Sequence, residues 1–359
     1  MSDGNVLTLE NISHAYGKTQ VLEGVNIAVA PGEFMCLLGP SGCGKTTTLR
    51  LVAGLEELQA GRILINGEPV ADARNHVPPE RRGVGLVFQE AALFPHLSVL
   101  GNVTFGLAGM GRAEAQLRAR EVLDQVGMAD YGDAYPHVLS GGQQKRVALA
   151  RALAPKPKLM LFDEPFAGLD AQLRSQIRDE TLHLMKDSGT TILLVTHDPE
   201  EAMYLADRIA IIHEGRIAQV GAPVELYRQP TSAFVTSFFS SVNRLEGVVK
   251  GNAISTPFGP IAAGDLRDGA AVEVLIRPEA IRISRVGDEN AGTEEGYRGH
   301  VITTRALRRG NFIHLCLGDF EDTHHHFHSR VPSRFVLKEG ENISVRLDPD
   351  QTFVFPVEG

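Results

Sequence analysis

Apolar and polar positions along the first 240 residues follow the grammar of an α/β fold. Strands are predicted at Val6–Ile12, Val21–Val29, Phe34–Leu38, Leu159–Phe162 and Ile192–Val195. The first two alternate apolar and polar residues, as half-buried strands do, and the other three are continuous apolar runs typical of strands covered on both faces. Helices are predicted at Lys45–Ala53 and Asp170–Lys186. This strand–helix–strand order favours a mostly parallel sheet. A closing hairpin is expected where Ile209–Ile212 and Ile217–Val220 flank a four-residue turn.

The pattern changes near residue 240. Beyond it, short β-rich runs separated by Gly, Pro, Asn and Asp lie at Arg244–Val249, Val272–Ile276, His300–Thr304, Phe312–Leu317, Ile343–Leu347 and Thr352–Phe355. Such punctuation predicts a small all-β barrel or sandwich. We therefore expect two domains, 1–240 and 241–359. The acidic stretch Asp288–Gly296 is predicted to be a surface loop, because it lacks bulky apolar residues.

Composition narrows the class of protein. The 359 residues carry a net charge of −9, which argues against a general nucleic-acid binder. No apolar run approaches the roughly 18–20 residues of a membrane span, and the first residues show no signal-peptide pattern. The three cysteines, Cys36, Cys43 and Cys316, match no zinc or haem spacing and indicate a reduced compartment.

The strongest chemical feature is a glycine-rich loop between a predicted strand and a predicted helix. This phosphate loop consists of Gly39, Pro40, Ser41, Gly42, Cys43, Gly44, Lys45 and Thr46, with Thr47 beside it. Its pattern is G-x-x-x-x-G-K-[ST], in which backbone N–H groups cradle phosphates, a lysine adds positive charge and a hydroxyl can bind Mg²⁺. The alternative, a glycine-rich turn without function, does not explain this context.

A second candidate is the acidic pair Asp163 and Glu164 at the end of the apolar run from Leu159. Parallel sheets place their sites at the carboxyl ends of strands. Asp163 suits a Mg²⁺ sphere, and Glu164 suits a base that orients or deprotonates water. An acidic strand end standing alone more often caps the next helix.

Leu139–Gln143, which we call the signature segment, reads LSGGQ. Ser140 is a good helix N-cap, and Gly141 and Gly142 leave amides exposed at the start of a helix, next to Gln143. This is a second phosphate-binding helix end in the same chain.

LSGGQ followed by QKRVALARAL and LMLFDEP resembles the ATP-binding subunit of an ABC transporter. The resemblance implies a P-loop ABC ATPase domain, with a mixed sheet and a helical subdomain, followed by a small all-β, oligo-binding-like regulatory domain. Gln89 matches the Q-loop glutamine, Asp170 the D-loop aspartate, His197 the switch histidine and Tyr16 the aromatic that stacks on adenine.

The same resemblance implies ATP and Mg²⁺ as cofactors, with Thr46, Gln89 and Asp163 around the metal. Glu164, His197, Gln89 and Lys45 are then the catalytic residues. One ATP is expected between the phosphate loop of one subunit and Ser140–Gln143 of another, with Asp170 nearby. A homodimer with two ATP molecules follows, because the chain contains one set of these segments.

Partners follow from the resemblance too. Ala91–Val99, which we call the docking segment, is an apolar, proline-containing stretch that is either buried turn packing or a docking surface. The resemblance implies that it receives a cytoplasmic helix of integral membrane permease subunits, with Phe94 and Leu97 as anchors. A periplasmic or surface binding protein would join through the complex. The expected location is peripheral, on the cytoplasmic face of the inner (plasma) membrane. Ile276–Ile281 resembles a segment of the accessory β-domain of importer ATPases.

The solute is the least determined feature. Asp163–Arg174, DEPFAGLDAQLR, resembles ferric-iron import ATPases most, and this favours iron(III). Polyamine, sugar, sulfate and phosphonate import remain open. His324–His328 could place three imidazoles on one strand face for a borderline metal ion, or could be an exposed histidine-rich edge.

Two rivals belong to other classes. A soluble ABC ATPase of repair or translation usually has two cassettes or a coiled-coil insertion. A P-loop kinase does not account for the signature segment, Gln89 and His197 together.

Overall fold

A computed structural model describes residues 4–286, 296–307, 310–318 and 326–357. The chain divides into two units, Met1–Leu226 and Tyr227–Gly359. The division lies earlier than the expected boundary at residue 240. Its physical basis is the helix Ala233–Phe239, which packs on strands of the second unit.

The first unit contains ten strands and seven helices among its described residues. The strands are β1 Leu7–Tyr16, β2 Thr19–Val29, β3 Phe34–Leu38, β4 Ala60–Ile65, β5 Glu68–Ala71, β6 Val84–Val87, β7 Leu159–Asp163, β8 Thr191–Thr196, β9 Arg208–His213 and β10 Arg216–Gly221. The helices are α1 Lys45–Ala53, α2 Val99–Phe105, α3 Arg112–Gln125, α4 Gly141–Leu153, α5 Ala171–Ser188, α6 Pro199–Leu205 and α7 Pro223–Arg228, the last of which crosses into the second unit.

The larger sheet has the strand order β10-β9-β3-β8-β7-β6. All neighbours are parallel except β9 and β10, which form the predicted hairpin. The inner strands β3, β7 and β8 are almost wholly buried, in agreement with their continuous apolar sequences. Because β3, β6, β7 and β8 run in the same direction, the loops that follow them meet at one edge of the sheet.

A second, antiparallel sheet of the first unit has the order β2-β1-β4-β5. One core joins both sheets and α1, and it includes Leu7, Val25, Leu49 and Leu161, each fully buried. Helices α2, α3 and α4 pack together between β6 and β7 in the chain and form the helical subdomain. The predicted mixed sheet with a helical subdomain is therefore confirmed.

The second unit is β-rich, as predicted, with one helix, α8 Ala233–Phe239, among its described residues. Its strands are β11 Asn243–Lys250, β12 Ala253–Thr256, β13 Gly259–Ala262, β14 Ala271–Ile276, β15 Ile281–Arg285, β16 Tyr297–Leu307, β17 Gly310–Leu317, β18 His326–Val331, β19 Asn342–Leu347 and β20 Thr352–Pro356. Two antiparallel sheets, β13-β12-β11-β14-β20 and β15-β19-β16-β17-β18, enclose an apolar core. The edges of the latter sheet approach each other, since Ser329 Oγ donates to the Ile281 carbonyl at 2.6 Å. The curvature is that of a small barrel.

Of the predicted surface loop Asp288–Gly296, all but Gly296 lies outside the described residues.

Candidate functional site

Four predicted segments meet at the carboxyl edge of the larger sheet. The phosphate loop follows β3, Gln89 lies two residues after β6, Asp163 ends β7 and His197 follows β8. These strands occupy neighbouring positions in the sheet, so that their ends are adjacent although they are far apart in sequence.

The shape of the phosphate loop depends on two glycines. A Cβ at Gly39 would clash with the Ile212 carbonyl oxygen. Gly44 has a φ of +104°, and a Cβ there would lie 2.7 Å from the Val21 carbonyl oxygen. Only glycine satisfies both the tight packing and the left-handed backbone, and Gly44 then serves as the N-cap of α1. Within the loop Pro40 is partly buried, Ser41 and Gly42 are exposed, and Cys43 and Thr47 are buried.

Lys45 is buried, and its ammonium turns into the loop. Nζ donates to the carbonyls of Gly39, at 2.9 Å, and Pro40, at 2.7 Å. The Cys43 Sγ lies 3.8 Å from the same nitrogen. Burial raises the pKa of the Cys43 thiol. Near neutral pH the loop therefore combines a protonated thiol with a lysine whose charge is held close to the helix start.

Thr46 and Asp163 form a direct contact: Thr46 Oγ1 donates to Asp163 Oδ1 at 3.0 Å. Burial, opposed by this hydrogen bond, raises the pKa of Asp163. Adjacent oxygen ligands of octahedral Mg²⁺ lie about 2.9–3.0 Å apart, from metal–oxygen distances near 2.0–2.1 Å. The two oxygens therefore fit the Mg²⁺ sphere that the sequence predicts.

Glu164 and His197 also touch: His197 Nδ1 lies 3.0 Å from Glu164 Oε1. The sequence predicted Glu164 as a base for water and His197 as the switch histidine, but it did not predict that the two side chains form a pair. Glu164 has a left-handed backbone, with φ +45°, and its N–H donates to the Val195 carbonyl at 2.9 Å. Left-handed backbone is uncommon for residues other than glycine and clusters at functional sites.

The buried carboxyl group of Glu201 is hydrogen-bonded to the residue that precedes His197. Thr196 Oγ1 donates to Glu201 Oε2 at 2.7 Å and accepts from the Asp198 N–H at 3.1 Å. Burial raises the pKa of Glu201. This chain of contacts fixes both neighbours of His197 and leaves its ring half-exposed at the site. Nothing in the sequence alone singled out Glu201.

The signature segment ends in a well-formed helix start. Ser140 Oγ accepts from the Gln143 N–H, and Gln143 Oε1 accepts from the Ser140 N–H, so the two residues form a reciprocal capping box for α4. Ser140 and Gly141 are exposed, whereas Gly142 is buried against Leu173.

The remaining predicted nucleotide residues are placed as follows. Asp170 caps α5 through hydrogen bonds from the N–H groups of Gln172 and Leu173. Tyr16 is 45 % exposed at the end of β1, and its ring meets His14 edge-on. Gln89 is exposed beyond the end of β6. The structure thus pairs Thr46 with Asp163 and Glu164 with His197 at neighbouring strand ends. Among the described residues it records no hydrogen bond or ion pair from Tyr16, Gln89 or Ser140 to these four.

A protein-family model described as ABC transporter matches residues 22–167. A maltose/maltodextrin import ATP-binding protein, MalK, of Photorhabdus laumondii is 38 % identical over 98 % of this chain and 96 % of its own length. An Fe(3+) ions import ATP-binding protein, FbpC, of Streptomyces avermitilis is 40 % identical over 96 % of both chains. A spermidine/putrescine import protein, PotA, of Roseobacter denitrificans is 41 % identical over 80 % of this chain and 81 % of its own.

This chain is an ATP-binding subunit of the ABC importer family. As such it is an ATPase coupled to transport, and the predicted ABC fold and enzyme class are confirmed. Among solved structures, cbiO1 of Clostridium perfringens, part of the complex cbiONQ, is 32 % identical with a TM-score of 0.58 over 63 % of this ABC subunit and 92 % of cbiO1. The cassette MJ0796, in a dimeric structure bound to ADP and Pi, is 31 % identical with a TM-score of 0.54 over 60 % of this chain and 98 % of its own.

The docking segment of this ABC subunit is anchored from two helices. Asn102 of α2 accepts from the Phe94 N–H at 2.8 Å and donates to the Phe94 carbonyl at 3.1 Å. Arg151 of α4 donates to the Ala92 carbonyl at 2.8 Å, and its guanidinium lies 5.5 Å from the centre of the Phe94 ring. Phe94 also meets the exposed ring of Phe105 at 4.4 Å. Phe94 and Leu97 are themselves partly buried.

The predicted histidine face is only partly visible. His324 and His325 lie outside the described residues. His326 and His328 are exposed on one face of β18, and His326 Nδ1 lies 3.1 Å from His314 Nε2 on β17. The pKa of His314 is lowered by burial and by the neighbouring imidazoles. Within the described part of the chain, no three His, Cys, Asp or Glu side chains are grouped to hold a metal ion.

No helix in the described residues has both the length and the apolar character needed to span a bilayer.

Proposed function

We propose that this subunit powers the import of ferric iron as a homodimer that binds two ATP·Mg²⁺ between its copies. Polyamine, sugar, sulfate and phosphonate are the alternative solutes. We further propose that it lies on the cytoplasmic face of the inner membrane, where the docking segment binds permease subunits that receive solute from a binding protein.

The observation that carries the catalytic part is the adjacency of two side-chain pairs at one sheet edge. Thr46 with Asp163 offers two oxygens for Mg²⁺, which would neutralise phosphate charge, and Lys45 adds a cation within the loop. Glu164 with His197 offers a carboxylate to accept a proton from water and an imidazole to hold that carboxylate and the water in place. Positioned acid–base groups contribute about 10²–10⁴-fold to a rate.

The exposed start of α4 supports the proposed dimer. Ser140 and Gly141, at the start of α4, are exposed to solvent, and the N-terminal end of a helix attracts phosphate. The cassette MJ0796, 31 % identical to this chain, forms a dimer in the presence of ADP and Pi. ATP held between Ser140 of one copy and the phosphate loop of the other would complete both sites.

Iron importers are among the relatives of this chain. FbpC proteins of Streptomyces avermitilis and Escherichia coli O157:H7 are 40 % and 43 % identical. MalK and PotA relatives reach 38 % and 41 %, so identity alone does not separate the solutes. The segment Asp163–Arg174 is what favours iron(III).

Glu164→Gln tests the sandwich. The amide keeps the size and the contact to His197 but cannot accept the proton of water. With ATP and Mg²⁺, light scattering after size exclusion should show a stable dimer that turns over at least 100-fold more slowly than the unaltered protein. Glu114→Gln, at an exposed position of α3, is the matched control. A variant that stays monomeric in ATP, or hydrolyses at the normal rate, would contradict the mechanism.

Uptake measurements test the solute. A strain lacking this chain should lose ⁵⁵Fe(III) uptake and keep maltose and spermidine uptake, and plasmid-borne protein with Lys45→Ala should fail to restore it. Normal iron uptake with loss of another solute would refute iron and leave the ATPase mechanism standing.

A further inference from the structure

The signature helix α4 is joined to the turn behind Glu164 by one side chain. Lys145 lies one helical turn beyond Gly141, and its Nζ donates to the carbonyls of Pro165 and Ala167, at 2.6 Å each. Both acceptors belong to the turn Glu164–Gly168, in which the Ala167 N–H also donates to the Glu164 carbonyl at 3.1 Å. A single ammonium therefore closes the turn that carries the proposed base.

The surroundings make this contact costly to lose. Lys145 borders a cavity of about 320 Å³ lined mainly by apolar groups, including Leu149, Phe162 and Phe166. Burial lowers the pKa of Lys145. Pro165 also lines this cavity, and without Lys145 the carbonyl oxygens of Pro165 and Ala167 would both lose this charged donor. The turn would then be expected to move.

Glu164 is sensitive to that movement. Its left-handed backbone, with φ +45°, is not one that a glutamate adopts readily, so neighbouring contacts must hold it. The Val195 carbonyl holds the Glu164 N–H on one side, and Lys145 holds the following residues on the other. A displacement of about 1 Å at a reacting group can cost on the order of 10²-fold in rate.

We propose that Lys145 is a positioning residue for Glu164 and that it acts within its own subunit. The start of the same helix is proposed to act at a different site, because the exposed first residues of α4 bind the ATP held by the other copy. The inference rests on the proposed function, since both assignments presuppose the two-ATP dimer. Each α4 then connects two ATP sites: its first residues belong to one, and Lys145 belongs to the other.

The first experiment compares Lys145→Met and Lys145→Arg in the full chain. Lys145→Met should lower kcat on the order of 10- to 100-fold, with the affinity for a fluorescent ATP analogue and the ATP-driven dimer unchanged within about twofold. Lys145→Arg, which keeps a charged donor, should recover most of kcat. Lys186→Met, at an exposed position on α5, is the control. Wild-type kcat in Lys145→Met, or equal losses in both variants, would overturn the inference.

The second experiment decides which site Lys145 serves. Mixed dimers with differently tagged chains are loaded with ATP, and the first turnover is measured by acid quench. With Lys145→Met and Glu164→Gln in the same chain, the wild-type partner retains an intact site, so that cleavage should match a dimer carrying Glu164→Gln alone in one chain. With the two substitutions in different chains, both sites are impaired.

The opposite ranking would show that Lys145 acts through the signature segment on the partner's ATP, and would refute the proposal. Failure of the Glu164→Gln homodimer to trap ATP would refute the sandwich itself. The two failures are therefore distinguishable.

Discussion

Thr46→Val removes the hydroxyl that, together with Asp163, is proposed to bind Mg²⁺, and it leaves the volume of the side chain nearly unchanged. Thr46 Oγ1 donates to Asp163 Oδ1 at 3.0 Å, and this hydrogen bond opposes the rise that burial causes in the pKa of Asp163. A hydrogen bond to a charged group contributes about 1.5–3 kcal/mol. At about 1.4 kcal/mol per factor of ten, its loss corresponds to roughly 10- to 150-fold.

The expected result is a rise of that size in the Mg²⁺ concentration that half-saturates ATP hydrolysis. The effect should grow as the pH is lowered, because a carboxyl group with a further raised pKa is protonated over more of the acid range and must lose its proton to bind the ion. Hydrolysis is followed by phosphate release over a Mg²⁺ titration at two pH values, and nucleotide binding is measured separately in EDTA.

Two further variants sharpen the test. Thr46→Ser retains the hydroxyl and should restore the Mg²⁺ midpoint. Thr181→Val removes a buried hydroxyl of the same kind on α5, where it donates to the Ile177 carbonyl at 2.7 Å, and should leave the midpoint in place. An unchanged midpoint in Thr46→Val would refute the assignment of this hydroxyl to the metal.

Three other predictions address separate parts of the chain. Phe94→Ala should abolish solute uptake in cells while ATP binding by the purified protein stays within twofold; normal uptake would remove Phe94 from the docking surface. Glu201→Gln should raise the melting temperature relative to the unaltered protein, by an amount that grows as the pH rises above the ordinary pKa of 4.5, because a raised pKa means that ionisation of Glu201 destabilises the folded state; a pH-independent difference would contradict this. Arg277→Met removes a fully buried guanidinium that donates to the Tyr227 carbonyl at 2.6 Å and should destabilise the second unit by about 1–3 kcal/mol, seen by calorimetry as a lower transition with unchanged ATP affinity; an unshifted transition would refute it.

Sequence pattern predicted the parts of the fold whose signals are local. The strands β3, β7 and β8 are apolar throughout and were placed correctly, because burial on both faces leaves a continuous run. The four-residue strand β6 contains Gly85 and gives no such run, so it was not predicted. Helix α8 was not separated from the linker because its seven residues give too little helical periodicity.

The candidate site divides in the same way. The phosphate loop and the acidic strand end are each a continuous stretch of sequence, and the residue types in each stretch indicate its chemistry. The contact between Glu164 and His197 depends on β7 and β8 being neighbours in the sheet, and neither segment's sequence predicts that strand order. Lys145 and Glu201 escaped prediction because a lysine or a glutamate on a helix is ordinarily solvated, and only tertiary packing reveals the backbone or hydroxyl group that it binds.

The position of β3 in its sheet has a consequence for biosynthesis. This strand leads into the phosphate loop, and its two sheet neighbours in the described part of the chain, β8 and β9, are made more than 150 residues later. During translation the loop emerges early but has no sheet to hold it until Arg208–His213 has left the ribosome. A nascent chain stopped before that point would expose the apolar strand Phe34–Leu38 and be a target for chaperones, and competence to bind nucleotide would arrive late and all at once.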